Sequence, residues 1–371
     1  MVNSFDYWIR RSPFFGGARR AGCSRYSFAN HMYQPAGYAG QDSLTAYWHL
    51  VKGVTLWDVG TERQVEITGP DALAFADSLT PRDLTRSRVG RCSYTLITTK
   101  EGGIVNDPVM LRLGDKHFWF STSDSDLLLW VKGVAVHAGF DVQVGEPDVS
   151  PVQIQGPKST AVVESLFGRT VALSPYEFVQ TDLDRIPVIL SRTGWSGELG
   201  YEIFLRDGRY GDVLWDRVLA AGAPFQMAVT GPSDANRVEA GILAYRSDFD
   251  LRTNPFEAGL ERFVQLDAPA DFIGKAALLK VRCQGITRKL VGIRILGETL
   301  PAPFEERWPV MLDGVPVGEV TVAVYSPRLE MNIGYATVPI GKTAPDTKLE
   351  IAAPWGRATA IVSTLPFIKR Q

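Results

Sequence analysis

The chain has 371 residues, 45% of them hydrophobic and 22% charged, and a formal net charge of −2. This is an ordinary composition for a globular protein of two or three domains, and without a basic run it argues against nucleic acid as a partner. Three separated cysteines exclude a disulfide framework, four histidines show no metal-binding spacing, and no apolar run reaches membrane-spanning length. We therefore expect a cytoplasmic protein with no metal and no membrane partner.

The first predicted elements are irregular. Residues 1–50 are rich in aromatic and small residues, and we expect there an extended, loop-rich segment that wraps a core. A helical period follows from Asp42 to Val54. Residues 51–140 then show the pattern strand, helix, three strands and helix, which is typical of an α+β unit with helices on one face of a mostly antiparallel sheet.

Residues 141–284 contain the same kinds of element. The segment VEITGPDA at 65–72 matches VQIQGPKS at 152–159 as a weak internal repeat of strand, turn and helix. Two related half-units that face each other would leave a groove for a ligand between them.

Short alternating runs separated by glycine, proline and aspartate turns begin after Gln284, and they predict a small β barrel or sandwich. The predicted domains are therefore a first, discontinuous α+β unit at 1–50 and 141–284, a second α+β unit at 51–140, and a C-terminal β-barrel domain at 285–371.

The stretch KEGGIVNDPVMLRL, Lys100 to Leu113, places Asn106 and Asp107 at the mouth of a strand that its apolar alternation predicts to be buried. Polar groups in such a position must be hydrogen-bonded or they cost stability. This pair is the first candidate for site chemistry.

Two further stretches carry candidate residues. RTGWSGELGYEIF, Arg192 to Phe204, is a glycine-rich bend that groups Trp195, Glu198 and Tyr201, although a plain hairpin explains its glycines equally well. Arg237 lies near the start of a predicted buried helix, where it either contacts a ligand carboxylate or pairs with Glu239. From the residues alone, the ion pair is the simpler interpretation.

Five stretches taken together resemble the glycine-cleavage T-protein family of tetrahydrofolate-dependent methyl and aminomethyl transferases. They follow the family's order and nearly its spacing, and they are WDV (57–59), GGIVNDPV (102–109), GWSGELGYEI (194–203), RVEAGI (237–242) and DFIGKAAL (271–278). Within the family the chain is most similar to the tetrahydrofolate-dependent dimethylsulfoniopropionate demethylase branch, on runs such as LWDVGTERQVEITG and FSTSDSD.

The resemblance implies a fold and an activity. The expected fold is α+β with three domains, in which two α+β units surround a central hole that holds folate and a C-terminal β barrel or sandwich follows. The unit at 1–50 and 141–284 would bind folate. The chain would be an enzyme, a methyltransferase with tetrahydrofolate as the methyl acceptor.

The resemblance also assigns roles to residues. The T-protein has two adjacent carboxylates after its Gly-Gly turn, and here the first position is Asn106, so only Asp107 remains. Aminomethyl transfer must move protons, whereas methyl transfer from a sulfonium leaves a neutral thioether and needs no acid. Asn106 and Asp107 are therefore expected to act in simple methyl transfer. The expected cofactor-binding residues are Tyr94, Asp107, Glu198, Trp195 and Arg237, and the expected substrate-binding residues are Tyr26, Tyr33, Trp195 and Tyr201.

The methyl donor is expected to be a small methylated onium ion, dimethylsulfoniopropionate first, because aromatic faces hold such cations. His31 supports an alternative, since it could act as a catalytic acid on the leaving oxygen of a methoxylated aromatic or another methyl ether. Methylated amines and halomethanes are further donors for the same scaffold.

A minor alternative is a non-catalytic folate-binding accessory protein, which is disfavoured because residues 254–263 lack the cysteine that such members carry. The expected partners are the methyl donor and tetrahydrofolate, and a homodimer is left open.

Overall fold

The computed structural model describes residues 9–301 and 303–369, which divide into two compact units. Unit 1 comprises the described part of Met1–Asp77 together with Asp83–Thr95 and Asn106–Pro232. Unit 2 comprises Ser78–Arg82, Leu96–Val105 and the described part of Ser233–Gln371.

The α-helices of the described residues are short, and none of them is long and apolar enough to cross a bilayer. Their bounds are α1 (Phe15–Arg20), α2 (Ser43–Lys52), α3 (Ala72–Ser78), α4 (Leu127–Ala138), α5 (Ser159–Phe167), α6 (Gly211–Gly222), α7 (Asp234–Glu239) and α8 (Lys275–Gln284).

The strands are more numerous and are also short outside the C-terminal region. Their bounds are β1 (Cys23–Ala29), β2 (Met32–Tyr38), β3 (Thr55–Asp58), β4 (Gln64–Thr68), β5 (Cys92–Tyr94), β6 (Ile97–Thr98), β7 (Ile104–Asn106), β8 (Val109–Gly114), β9 (His117–Ser121), β10 (Gln143–Gly145), β11 (Ser150–Gln155), β12 (Phe178–Leu183), β13 (Ile186–Ser191), β14 (Gly200–Leu205), β15 (Ala228–Val229), β16 (Arg288–Ile295), β17 (Trp308–Leu312), β18 (Val315–Ser326), β19 (Met331–Pro339), β20 (Lys348–Ala353) and β21 (Gly356–Ser363).

Unit 1 is built on two sheets. The larger has the order β12–β13–β14–β11–β3–β15, with antiparallel neighbours except at β15, and the smaller has the order β10–β4–β9–β8–β5. One face of the larger sheet packs against α1, α5 and α6 in a core that includes Ile203, Val162 and Trp215. A second core joins the two sheets and includes Phe204 and Trp119. Successive residues of β14 therefore point to opposite faces, as the pleat requires.

The predicted domain boundaries do not follow directly from these sheets. Strand β3 pairs with β11 in the larger sheet, whereas β4, which follows it along the chain, pairs with β9 in the smaller. Residues 51–140 thus contribute to both sheets. The boundaries at residues 50, 140 and 284 remain a proposal.

The loop-rich interpretation of the N-terminal region was wrong for residues 15–38, which form α1 and the antiparallel hairpin β1–β2. The hairpin turn consists of Asn30 and His31, with φ of 50° and 62°. Two such residues give a turn whose twist matches that of the flanking strands, and asparagine tolerates this conformation well. Residues 1–8 of the same prediction lie outside the described residues.

Unit 2 contains the predicted C-terminal barrel. Strands β16–β19–β18–β17–β20–β21 form a closed barrel, which β16 completes by pairing with β21. Its interior is filled by apolar side chains, among them Ile293, Val310 and Ile351, so the barrel has a packed core rather than a channel.

Candidate active site

Asn106 lies at the end of β7 with its side chain fully buried. Its Nδ2 donates to the backbone oxygen of Ser123 at 3.0 Å and to Ser125 Oγ at 2.7 Å, and its Oδ1 accepts from the Ser123 N–H at 3.3 Å. Both amide protons are therefore used inside the protein. Asn106 fixes the segment 122–126, which we call the Ser123 loop, at the end of β9.

Asp107 is held by two hydroxyl groups. Its Oδ2 accepts from Tyr94 OH at 2.9 Å, and its Oδ1 accepts from Ser123 Oγ at 2.5 Å. The structure therefore brings together three of the expected site residues, Tyr94, Asn106 and Asp107. It adds Ser123, which sequence reasoning missed although the run FSTSDSD contains it.

The Ser123 loop is also held from its other side by the β1–β2 hairpin. Asn30 donates its backbone N–H to Asp124 Oδ1 at 2.8 Å, and its Nδ2 donates to the backbone oxygen of Ser123 at 3.1 Å. Its Oδ1 accepts from the Ser125 N–H at 3.1 Å. The hairpin turn and the end of β7 thus fix one loop between them.

His31 lies next to Asn30 in the hairpin turn, and its imidazole is exposed. Its Nε2 is 3.1 Å from Asp126 Oδ1, and the two side chains are 69% and 65% exposed. Both residues line an open cavity of about 200 Å³, whose other walls include Arg63, Gln64 and Leu129. The positive φ of His31 shows that it serves the turn, and its catalytic role remains a prediction.

The expected substrate residues Tyr26 and Tyr33 face each other on the hairpin. Their ring centroids are 5.6 Å apart, Phe15 stacks on Tyr26 at 5.2 Å, and Phe28 packs on Tyr33 at 5.2 Å. Burial is the main cause that raises the pKa of Tyr26, so its phenol stays neutral. These four rings form an aromatic cluster, and contact with substrate remains a prediction.

Trp195 and Glu198 lie half-buried in the loop between β13 and β14. Ser196 anchors this loop, because its hydroxyl donates to Gln155 Oε1 at 2.6 Å and accepts from the Glu198 N–H at 3.1 Å. A Cβ at Gly194 or at Gly200 would lie 2.3 Å from the Gln155 amide, so both glycines are needed for this packing. The conformation of this loop is therefore fixed by its packing against Gln155.

Tyr201 does not share that surface. It is 2% exposed, lies in the core against the helices of unit 1, and its hydroxyl is 3.1 Å from Thr160 Oγ1. The strand turns its side chain to the helical face, so we no longer propose that Tyr201 binds substrate. Glu202, the next residue, points to the opposite face.

Arg237 belongs to unit 2 and is 1% exposed. Its Nη1 donates to Asp248 Oδ2 at 2.7 Å and its Nε donates to Asp234 Oδ1 at 2.5 Å. Glu239, the partner named from the sequence, pairs with Arg328 at 2.8 Å. Arg237 thus forms ion pairs with Asp248 and Asp234, and both its pairing with Glu239 and its contact with folate remain predictions.

A second acidic arrangement, which sequence reasoning missed, lies on the larger sheet of unit 1. Gln153 Nε2 donates to Glu202 Oε1 at 2.6 Å and to Glu62 Oε1 at 3.2 Å, and Thr193 donates its hydroxyl to Glu202. We call Glu62 and Glu202 the carboxyl pair. Within residues 9–301 and 303–369, no group of three or more histidine, cysteine, aspartate and glutamate side chains could hold a metal ion.

Two family models cover most of the chain. The N-terminal domain of the glycine-cleavage T-protein matches residues 18–268, and the C-terminal barrel domain of the same protein matches residues 288–369. The chain belongs to the glycine-cleavage T-protein family.

Individual members of the T-protein family agree with this assignment. The chain is 37% identical over 350 residues to dimethylsulfoniopropionate demethylase DmdA of Ruegeria pomeroyi, with 94% of each chain covered. It is 31% identical over 322 residues to an aminomethyltransferase of Bacillus cereus, covering 85% of this chain and 87% of that one.

A solved structure matches the fold of almost the whole chain. The aminomethyltransferase T of the Bartonella henselae glycine cleavage system superimposes with a TM-score of 0.88 over 98% of this chain and 99% of that one, at 21% identity. The expected α+β aminomethyltransferase-like fold with a C-terminal barrel is confirmed.

Membership in the T-protein family also confirms the expected enzyme class. The protein is a transferase of one-carbon groups that uses tetrahydrofolate. The roles of the individual residues stay predictions.

Proposed function

We propose that this enzyme is a demethylase that transfers a methyl group from a small methylated onium donor, such as dimethylsulfoniopropionate, to tetrahydrofolate and forms 5-methyltetrahydrofolate. The observation that carries the proposal is Asn106, which stands where the T-protein has its first carboxylate. Both protons of its amide are donated to Ser123 and Ser125. Asn106 thus positions the Ser123 loop and supplies no acid.

Transfer from a sulfonium suits a site without that acid. The donor's carbon–sulfur bond breaks with its electron pair on sulfur, which leaves a neutral thioether that needs no proton. Tetrahydrofolate supplies the nitrogen that accepts the methyl group. The proton that this nitrogen releases can pass to the Asp107 carboxylate, which Tyr94 and Ser123 hold in place.

The donor set of unit 1 fits a folate. Carboxylates accept the N–H groups of a guanidine-like edge, and half-buried aromatic rings cover a flat heterocycle. Glu198 and Trp195 lie three residues apart on the loop anchored by Ser196, and Asp107 and Tyr94 are joined by a hydrogen bond of 2.9 Å. We propose that Tyr94, Asp107, Trp195 and Glu198 bind tetrahydrofolate.

An onium donor also fits the aromatic cluster. Tyr26 and Tyr33, with Phe15 and Phe28, offer ring faces at the hairpin, and Phe28 is 59% exposed. A cation on such a face gains about 1 kcal/mol where the ring is exposed and about 2 kcal/mol where it is desolvated. The 37% identical relative, named a dimethylsulfoniopropionate demethylase, supports the same choice of donor.

The test is a donor panel. Purified enzyme and tetrahydrofolate are incubated with dimethylsulfoniopropionate, glycine betaine or a methoxylated aromatic, and 5-methyltetrahydrofolate is measured. We expect turnover of the sulfonium in the wild type and in His31→Ala. Methyl transfer in a single turnover excludes an accessory protein that merely binds folate.

The second candidate is an O-demethylase, and His31 is the observation that favours it. Its exposed imidazole lies at a cavity and 3.1 Å from Asp126, a position from which it could protonate a leaving oxygen. Turnover of methyl ethers alone, abolished by His31→Ala, would install this function in place of the first.

Folate binding has its own test. Glu198→Ala should weaken tetrahydrofolate binding by about 1–3 kcal/mol, since buried N–H donors of the ligand would lose their acceptor. Unchanged affinity by calorimetry would remove Glu198 from the site. A cytoplasmic location and a homodimer remain predictions that fractionation and sedimentation can check.

A further inference from the structure

The turn of the β1–β2 hairpin is buried at its first residue. Asn30 is 4% exposed, whereas Phe28, two residues earlier on β1, is 59% exposed. Turn residues normally lie at the surface, where water satisfies their backbone groups. The polar groups of Asn30 therefore depend on partners within the protein.

Asn30 finds these partners in segments that are distant along the chain. Its Nδ2 donates to the backbone oxygen of Thr61 at 2.9 Å, in the turn between β3 and β4. Its φ of 50° is a conformation that asparagine adopts more readily than most residues. The remaining contacts reach the Ser123 loop, and they are Nδ2 to Thr122 Oγ1 at 3.2 Å, Nδ2 to the Ser123 oxygen at 3.1 Å, Oδ1 to the Ser125 N–H at 3.1 Å and the backbone N–H to Asp124 Oδ1 at 2.8 Å.

Ser123 is fixed by two asparagine side chains. Its carbonyl oxygen accepts from Asn30 at 3.1 Å and from Asn106 at 3.0 Å, and its N–H donates to Asn106 Oδ1 at 3.3 Å. With the backbone held at both groups, the direction of the Ser123 hydroxyl is set by one side-chain torsion. That hydroxyl donates to Asp107 Oδ1 at 2.5 Å. The two asparagines together therefore fix the group that orients Asp107.

The two asparagines differ in what they connect to Asp107. Asn106 precedes Asp107 in the chain, so its contact with the Ser123 loop is local. Asn30 lies on the hairpin that carries Tyr26 and Tyr33 of the aromatic cluster. The position of the hairpin thus reaches Asp107 through the contacts of Asn30.

We infer that Asn30 is a positioning residue for methyl transfer, because it directs the Ser123 hydroxyl to Asp107 and sets the hairpin against the same loop. The inference rests on the proposed function, in which the folate nitrogen bonds to the methyl group and gives its proton to the Asp107 carboxylate. One buried turn residue then places the carboxylate that receives the proton and the rings that we propose for the donor. The identity of the donor does not enter, since the nitrogen releases its proton whichever methyl group it accepts.

The first test is Asn30→Gly. Glycine adopts the same positive φ without strain and keeps the backbone N–H that Asp124 accepts, so the variant removes only the amide side chain. We expect kcat of demethylation to fall at least about tenfold, because a misplaced catalytic group reacts slowly. The KM of the methyl donor should change by less than about twofold.

Asp184→Gly is the matched control. Asp184 is the first residue of the two-residue turn between β12 and β13, it has a φ of 47°, and its side chain is 67% exposed. This variant should leave kcat and KM unchanged. Urea unfolding checks that each variant is folded. Asn30→Asp is a second variant, which keeps the turn and the acceptor for the Ser125 N–H but cannot donate to the Ser123 oxygen, and it should show the same loss of kcat.

The pH profile gives a measurement that a merely structural role would not move. A hydroxyl donor stabilises the charged form of a carboxylate, so Asp107 without a well-placed Ser123 hydroxyl takes up a proton at higher pH. The acid limb of kcat should therefore move to higher pH in Asn30→Gly, and further in Ser123→Ala. Tyr94, the titratable group that donates to the other oxygen of Asp107, is the same in all variants.

A double-variant cycle shows whether Asn30 acts through Ser123. In the Ser123→Ala background, Asn30→Gly should lower kcat by less than about twofold more, because the hydroxyl that it positions is already gone. Independent losses that multiply would overturn the inference. A higher KM of the donor with unchanged kcat would also overturn it, since Asn30 would then serve only the rings of the hairpin.

The outcomes separate this inference from the proposed function. All variants are compared on the donor that the wild type demethylates. If Asn30→Gly matches the wild type in kcat and in its pH profile, the proposed function stands and the inference is wrong. If the wild type transfers no methyl group from any donor of the panel, both are wrong.

Discussion

Asp107 and the carboxyl pair lie in the same unit, yet the protein treats their acidic groups differently. Each oxygen of Asp107 receives a hydroxyl donor, from Tyr94 at 2.9 Å and from Ser123 at 2.5 Å. Glu62 and Glu202 share the amide nitrogen of Gln153, whose own carbonyl oxygen is left without a donor, and Glu202 also accepts from the Thr193 hydroxyl. The first group is complete within the protein, whereas the second needs a proton or a cation.

The difference has a chemical consequence for what each acidic group can do. A carboxylate whose orientation is fixed by hydroxyl groups is suited to accept a proton from a defined direction. A carboxyl pair that lacks a partner responds to the charge of what enters it. We therefore propose proton removal for Asp107, whereas the carboxyl pair is the acidic group of unit 1 that has no cationic partner among the described residues.

The largest expected effect comes from Asn106→Asp, which would place a second carboxylate beside Asp107. The amide donates to the Ser123 carbonyl, so a carboxylate oxygen at that position would face another acceptor inside a buried site. We expect a loss of about 3 kcal/mol in the free energy of unfolding, measured with urea, and slower demethylation. Asn106→Asp should not create aminomethyl transfer.

Ser125→Ala is the matched control for that variant, because it removes one acceptor of the Asn106 amide without adding charge. It should cost about 1 kcal/mol. Faster demethylation in Asn106→Asp would show that the reaction needs an acid at this position, and Asp107 would then not be the acidic group that suffices for proton transfer.

Much of the first acidic site was visible in the sequence, and little of the second was. The Gly-Gly turn and the apolar alternation after Asp107 predicted a buried strand with two polar residues at its mouth, as the structure has it. Glu62 lies in a turn without any pattern of its own. Gln153 and Glu202 stand at alternate positions of apolar strands, but only the register of β3, β11 and β14 makes them neighbours.

The fold shows the same division between local and tertiary information. The β barrel was predictable because its strands are long, alternating and separated by turn residues. The β1–β2 hairpin was missed because its turn, Asn30 and His31, lacks the glycine that usually marks such turns. Its position against the Ser123 loop depends on contacts of Asn30 that no local pattern contains.

Neutral substitutions in the two sites should change stability in opposite directions. Asp107→Asn weakens two hydrogen bonds from hydroxyl groups, and we expect a loss of about 1–2 kcal/mol at pH 8. Glu202→Gln removes a buried acid and brings an N–H near the unpaired Gln153 carbonyl, so we expect a gain of about 1 kcal/mol. Urea unfolding of both variants measures the two signs. An equal loss in the free energy of unfolding in both variants would mean that the carboxyl groups of the two sites are equally well hydrogen-bonded.

The pH dependence of stability tests whether Glu202 holds a proton in the folded protein. The pKa of Glu202 is raised in the folded protein, mainly by burial, so the folded state binds the proton more tightly than the unfolded state. The stability that this gives is complete below the unfolded pKa of about 4.3 and is lost as the pH rises through the folded pKa. The wild type should therefore lose stability relative to Glu202→Gln from pH 5 upward. A constant difference between pH 4 and pH 8 would show that no proton is held there.

The smallest effect is expected for His31→Ala. This residue lies in the hairpin turn that contacts the Ser123 loop, and its side chain is exposed. The imidazole and Asp126 are both mostly exposed, and exposed ion pairs contribute less than about 1 kcal/mol. His31 also adopts a positive φ, so alanine adds a small conformational cost at the turn, and Asn is the control residue because it tolerates that backbone. We expect His31→Asn to match the wild type in stability and in sulfonium demethylation. A large loss of demethylation in His31→Asn with unchanged folding would make the imidazole a catalytic acid, and proton transfer would then not be confined to the buried Asp107.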